Sequence, residues 1–155
     1  MIPPFRRQSG ATVVEMALIA PVFLLILLAL VELSLMFFAT LTMQYAVREG
    51  ARYAITGQSN LDPNTSKQQR YAAVIQSMRD NSLGFYDRLS TRISVNGTGY
   101  TSANYNDSMF GTAGSIVVLQ LTSQWTVTTP LLSKFFTNGK YTFVVGATMR
   151  NEFFP

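Results

Sequence analysis

Apolar positions dominate the first third of the chain. Residues 16–31 carry no charge, and Glu15 directly precedes them. Because a helix rises about 1.5 Å per residue, about 20 apolar residues are enough to cross a bilayer core of about 30 Å. The apolar character continues to residue 41. Residues 11–41 therefore predict a membrane-spanning helix.

The helix is expected to continue beyond its apolar part. Residues 42–55 are compatible with a helix and become amphipathic, and Gly57 is a suitable residue for a helix end. Small side chains recur there at every fourth position, and small side chains let another backbone approach closely. That backbone belongs either to another subunit or to the rest of this chain. The small stripe consists of Thr42, Ala46, Gly50 and Ala54.

The second helical pattern lies in the middle of the chain. Ser66 and Gln69 have the spacing of a capping box, which predicts a helix start at Ser66. Apolar residues then recur with helical spacing up to about Ser82, and Gly84 follows. We predict an amphipathic helix that lies on a sheet.

The last third alternates between apolar and polar residues. Residues 92–95, 115–128 and 140–150 place their apolar side chains on one side, which is typical of strands with one buried face. Pro130 marks the first position of a short helix, and Asn138 with Gly139 marks a turn. The predicted fold class is α+β: a long N-terminal helix, followed by a small head with one amphipathic helix on an antiparallel sheet of about three strands.

The segment between the first two strands is rich in Gly, Ser, Thr and Asn. Residues 96–114 contain three aromatic residues, Tyr100, Tyr105 and Phe110. Loops of this length are usually functional or mobile. We expect a flexible exposed loop, and the alternative is a binding surface built from the aromatic side chains.

Composition excludes several classes of function. The net charge is +4 and scattered, which is too little for a nucleic-acid surface. The chain has no cysteine and no histidine, so it lacks disulfides, Cys/His metal sites and a histidine base. No nucleophile–base pair or phosphate loop is evident in the sequence. We therefore expect no enzymatic activity, no cofactor and no bound metal.

The short N-terminal segment determines orientation. Arg6 and Arg7 flank the helix, and the positive-inside rule then places the N-terminus in the cytoplasm and the head outside. Three alternatives account for this segment: a cleaved secretory signal, an uncleaved anchor, or cleavage after Gly10. The third also explains Glu15, because cleavage frees an amine on Ala11. A carboxylate in a membrane is costly, and the amine of a neighbouring helix is a suitable partner for it.

The motif Arg6-Arg7-x-x-Gly10-Ala11-x-x-x-Glu15, followed by a long apolar helix, resembles the class III signal of type IV pilins. The short leader and the C-terminal ATMRNEFFP are similar to those of TadE-like pseudopilins of tight-adherence pilus systems. The resemblance implies cleavage between Gly10 and Ala11 by a prepilin peptidase, and pairing of Glu15 with the Ala11 amine of an adjacent subunit.

The same resemblance implies a location in the bacterial inner membrane and a place in a pilus. The expected partners are the prepilin peptidase, other pilin subunits and the inner-membrane assembly platform. The expected division is a cleaved leader (1–10), the long helix (11–56) and an extracytoplasmic head (57–155). The alternative function is an uncleaved, membrane-anchored binding module that uses residues 96–114.

Overall fold

The computed structural model describes residues 10–154. Its first element is a single helix, α1 (Ala11–Ile55), of 45 residues, with Pro21 inside it. The helix closes at Thr56, and Gly57 follows with a left-handed φ of 69°. The predicted helix and its glycine end are confirmed. At about 1.5 Å per residue, α1 is about 68 Å long, so the small head covers only part of it.

The head follows α1 and contains three short or medium helices, a 3-10 helix, a three-residue 3-10 turn and four strands. In chain order they are α2 (Arg70–Asp80), α3 (Phe85–Arg88), β1 (Arg92–Val95), β2 (Thr98–Tyr100), the 3-10 helix Asp107–Phe110, β3 (Ile116–Thr126), α4 (Pro130–Ser133), the 3-10 turn Thr137–Gly139 and β4 (Lys140–Arg150). Pro130 occupies the first turn of α4, as predicted. Asn138 and Gly139 have φ values of 55° and 65°, which confirms the predicted turn before β4.

The four strands form one antiparallel sheet in the order β2-β1-β3-β4. Its longest pairing joins β3 to β4, from Ile116 opposite Arg150 to Thr126 opposite Lys140. One face is buried, as the alternation predicts, with Leu119, Leu121 and Val145 at most 4% exposed. The predicted α+β class is confirmed, and the sheet has one strand more than expected.

The second half of α1 supplies one side of the core. Its buried residues recur at intervals of three or four and so form one stripe along the helix. The backbone of α1 approaches β3 and β4, whereas α2 packs against α1. The helix nearest to these strands is therefore the long one rather than the amphipathic helix expected from the sequence. This buried stripe contains the four residues of the small stripe and comprises Glu32, Met36, Ala39, Thr42, Met43, Ala46, Val47, Gly50, Ala51 and Ala54.

The predicted capping box is wrong. The helix α2 begins at Arg70, and no side chain caps its first turn. Gln68 has a φ of 47°, so the chain reverses there and a helix cannot run through from Ser66. The buried Asp62 stabilises the entry instead, since its carboxylate accepts hydrogen bonds from the backbone N–H groups of Asn64 (2.8 Å) and Gln69 (2.6 Å).

The segment 96–114 is exposed over most of its length, as expected, but it is not a continuous loop, because it contains β2 and the 3-10 helix. Asn96 and Gly97, both with positive φ, make a tight turn that pairs β2 with β1. The 3-10 helix then buries Met109 and Phe110, which are 3% and 0% exposed. Apolar contact with the core orders the segment, because burial of an aromatic ring offsets the entropy of fixing the backbone.

Two polar side chains, the half-buried Arg70 and the buried Asn151, also hold this segment in place. The guanidinium of Arg70 donates to the carbonyl of Gly111 (2.7 Å) and to the carbonyl of Ala54 at the end of α1 (2.6 Å). The side-chain amide of Asn151 donates to the carbonyls of Phe110 (2.8 Å) and Thr112 (2.9 Å). These bonds connect the segment to α1 and to the C-terminal end of β4.

Replacement of Phe110 by alanine is expected to destabilise the head. Truncation of a fully buried phenylalanine costs about 3–5 kcal/mol in the free energy of unfolding. The matched control is Phe153→Ala, because Phe153 is 87% exposed and should change stability by less than about 0.5 kcal/mol. Thermal unfolding of the detergent-solubilised protein measures both, and equal stability of the two variants would show that Phe110 is not a core residue.

Candidate functional site

The first half of α1 is an apolar rod that the head does not cover. Its large apolar side chains between Val13 and Val31 range from 39% exposed (Leu25) to 71% exposed (Leu18). Twenty residues of helix span about 30 Å, the thickness of a bilayer core. A continuous apolar surface of this size requires lipid or other apolar helices around it. Within the described residues, α1 is long and apolar enough to cross a membrane.

The N-terminal end of this rod carries the residues of the predicted cleavage site. Gly10 is exposed and lies just outside α1, and its carbonyl accepts a hydrogen bond from the backbone N–H of Val14 (3.4 Å). Ala11 is the first helical residue, and the side chain of Glu15 is exposed on the next turn. Arg6 and Arg7 lie outside the described residues. The pairing of Glu15 with the Ala11 amine of another subunit stays a prediction.

The opposite end of the rod is marked by a buried carboxylate. Glu32 is 4% exposed, although residues on both sides of it along the chain are exposed. Its Oε1 accepts from the indole Nε1 of Trp125 (2.9 Å) and the backbone N–H of Thr128 (3.2 Å). Its Oε2 accepts from the hydroxyl groups of Thr128 and Thr129 and from the backbone N–H of Thr129 (3.2 Å).

Five donors converge on one carboxylate, and all of them come from the end of β3 and the residues that follow it. All five are N–H or O–H groups, so they match an ionised carboxylate, which only accepts hydrogen bonds. Bonds to a charged group are stronger than bonds between neutral groups. Glu32 therefore fixes the position along the axis of α1 at which the sheet packs against the helix. Towards the N-terminus from this residue the helix is bare, and beyond it one face is buried.

The spacing of Glu32 along the helix is a signal for this contact in the sequence. Glu32 lies four residues before Met36 and seven before Ala39, so it shares their buried face. An acid on the buried face of a helix needs donors within reach. The donors are more than 90 residues away along the chain, so the sequence pattern alone did not identify them.

The small stripe faces the head of the same chain. Ala46 and Ala54 are fully buried, and Thr42 is 9% exposed. A Cβ added to Gly50 would lie 2.3 Å from Cγ of Met78 on α2. Of the two alternatives, the structure shows contact with the head, and the small side chains let α2 approach α1 closely.

Acidic residues in the described part of the chain are dispersed. No group of three or more His, Cys, Asp or Glu residues is placed to hold a metal ion within residues 10–154. The features with a functional geometry are therefore the bare apolar rod, the residues at its N-terminal end and the Glu32 junction.

Comparison with known proteins finds a match to the part of the chain that contains the apolar rod. Residues 10–52 match the family model described as TadE-like protein. The match begins at Gly10 and ends in the last turn of α1, so it covers the helix and none of the sheet. The resemblance to TadE-like proteins is confirmed over this range. No curated protein and no solved structure matches the chain.

Replacement of Glu32 by glutamine is expected to loosen the junction. The amide keeps the shape of the carboxylate, but it loses the charge and presents an NH₂ group to donors. Hydrogen bonds to charged groups contribute about 1.5–3 kcal/mol each, so we expect a loss of about 2–3 kcal/mol in the free energy of unfolding.

The matched control for this variant is Glu15→Gln, the same change at an exposed position of the same helix, which should leave the stability of the isolated subunit unchanged. The fluorescence of Trp125, the sole tryptophan, reports the local environment during unfolding in detergent. Equal unfolding curves for the two variants would contradict the structural role of Glu32.

Proposed function

We propose that this chain is a pilin-like structural subunit of a tight-adherence pilus, anchored in a membrane by the first half of α1. The observation that carries the proposal is the uncovered apolar rod, which begins at Val13, three residues after Gly10, and lies within residues 10–52, the range that matches the TadE-like family. A rod that its own head leaves bare is suited to two environments, first lipid and then a bundle of similar helices.

The proposed processing site is the peptide bond between Gly10 and Ala11. Gly10 is exposed and is the N-cap of α1, so this bond lies at the very end of the helix rather than within it. With Arg6 and Arg7 on the same side, the bond would face the cytoplasm. A prepilin peptidase there would remove residues 1–10 and leave the helix (11–56) with the extracytoplasmic head (57–155).

The proposed role of Glu15 is to pair with the new amine of an adjacent subunit. The carboxylate lies four residues beyond Ala11, which corresponds to about 6 Å along the axis. A pair between Glu15 of one subunit and the Ala11 amine of the next would therefore offset neighbouring helices by about that distance. Pairing also neutralises a charge that is costly in an apolar environment.

The proposed partners are other pilin subunits, which would surround the rod in the fibre, and the inner-membrane assembly platform. The chain would act through surfaces rather than through catalysis. The alternative is an uncleaved, anchored binding module that uses residues 96–114. The burial of Phe110 in the core leaves fewer of the aromatic residues in this segment for a ligand.

Cleavage after Gly10 is tested by the mass of the membrane-extracted protein with and without the cognate prepilin peptidase. We expect a chain that starts at Ala11 only when the peptidase is present. A Gly10→Val variant should keep Met1 in both samples, which controls for unrelated proteolysis. A start at Met1 in all samples would favour the anchored module, and a cut beyond Val31 would indicate an ordinary secretory signal.

Glu15→Gln is expected to be processed normally but to enter pili poorly. Loss of an ion pair worth about 1.4 kcal/mol lowers an association constant about tenfold, and we expect at least this reduction in the amount of subunit in sheared pili. Glu15→Asp, which keeps the charge, should retain part of the incorporation. Incorporation of Glu15→Gln at the level of the unmodified chain would contradict the pairing role.

A further inference from the structure

The residues that follow β3 lie beside the point on α1 where the part covered by the head ends and the bare part begins. Glu32 binds Thr128 and Thr129, and α4 starts at the next residue, Pro130. Leu30, Leu33 and Phe37 of α1 line a groove of about 490 Å³ together with Phe136 and Tyr141. The segment 130–136, which we name the foot, is therefore level with the end of the uncharged run of α1.

The foot presents apolar side chains to its surroundings rather than to the core. Phe135 is 80% exposed and Leu131 is 44% exposed, and none of the residues of α4 is buried. Lys134, between them, is also exposed. An exposed aromatic ring beside an exposed leucine and a lysine is the composition of segments that lie in a membrane interface.

Aromatic side chains continue from the foot around the junction. The ring of Phe136 contacts that of Tyr141 at 6.0 Å between centroids. On another side of α1, the Phe85 ring lies 5.9 Å from that of Phe38 and 6.2 Å from that of Trp125. Tyrosine and tryptophan are enriched at the boundary between lipid and water, where their rings match both environments. Trp125 donates to Glu32, Tyr141 lies opposite Trp125 in the sheet, and Phe38 is about 9 Å beyond Glu32 along α1.

We infer that the foot rests on the membrane that α1 spans, with Phe135 and Leu131 in the boundary between headgroups and acyl chains and Lys134 near the lipid phosphates. The inference rests on the proposed membrane anchor. It goes further by assigning lipid contact to a part of the head that is more than 90 residues from the anchor in the sequence.

Continuity with the spanning helix favours the bilayer over a protein partner. The helix crosses about 30 Å between Ala11 and Val31, and Glu32 fixes the foot at the next residue. A segment at that height beside a single spanning helix faces the leaflet surface on the side of the head. The positive charge of Lys134 matches phosphate, whereas a groove that received another apolar helix would not require it.

The absence of cysteine allows single-site labelling of the full chain. We suggest three variants that carry an environment-sensitive fluorophore: Phe135→Cys in the foot, Phe153→Cys as the matched control, and Leu24→Cys in the spanning helix. Phe153 is 87% exposed and follows Glu152, whose N–H donates to the carbonyl of Ile55 at the far end of α1. That end is about 35 Å along the helix from Glu32.

The labelled proteins are reconstituted in vesicles of phosphatidylcholine and phosphatidylglycerol, with or without lipids that carry a nitroxide in the headgroup or the acyl chain. We expect the label at 135 to shift to the blue and to lose fluorescence with headgroup nitroxide. The label at 24 should lose fluorescence with acyl-chain nitroxide. The label at 153 should behave as it does in water.

Three results would overturn the inference. A label at 135 that matches the label at 153, while the label at 24 is quenched, would show that the foot stays in water. A blue shift at 135 without nitroxide quenching would mean that a protein surface covers it. An unquenched label at 24 would overturn the membrane anchor itself and the foot with it.

Discussion

The change of environment along α1 is the constraint on which the rest of the structure depends. One continuous helix is bare and apolar in its first half and buried on one face in its second half, and Glu32 lies at the boundary. The five donors that converge on this carboxylate bind the sheet to the helix at one height. Because a one-residue slip would leave a buried charge without donors, the junction has little freedom to slide.

Head and helix consequently form one unit rather than two domains joined by a linker. The second half of α1 provides part of the core, and its small stripe lets α2 pack closely. The 3-10 helix, Arg70 and Asn151 connect the remaining segments to the end of α1. A subunit that transfers its helix from lipid to a fibre would then carry a rigid head with it, without refolding.

The two carboxylates near the ends of the bare rod have different environments. Glu32 is buried and accepts hydrogen bonds from its own subunit, whereas Glu15 is exposed on the helix surface. Burial of a carboxylate requires compensation by donors or by a cation, and the fold supplies this for Glu32. The proposed role of Glu15 in assembly rests on this exposure, because an exposed carboxylate is accessible to a partner outside the subunit.

The sequence by itself determined the elements that depend on local pattern: the length of α1, the alternation of β3 and β4, Pro130 at the start of α4, and the Asn138–Gly139 turn. Each follows from periodicity or from the backbone preference of one residue. Tertiary structure decided the rest. Asp62 accepts hydrogen bonds at the start of α2, where a cap at Ser66 was predicted. Phe110 packs the segment 96–114 against the core, and Trp125 and Thr128 donate to Glu32. These contacts join residues that are distant in sequence, and burial and hydrogen-bond satisfaction select them only after the chain has folded.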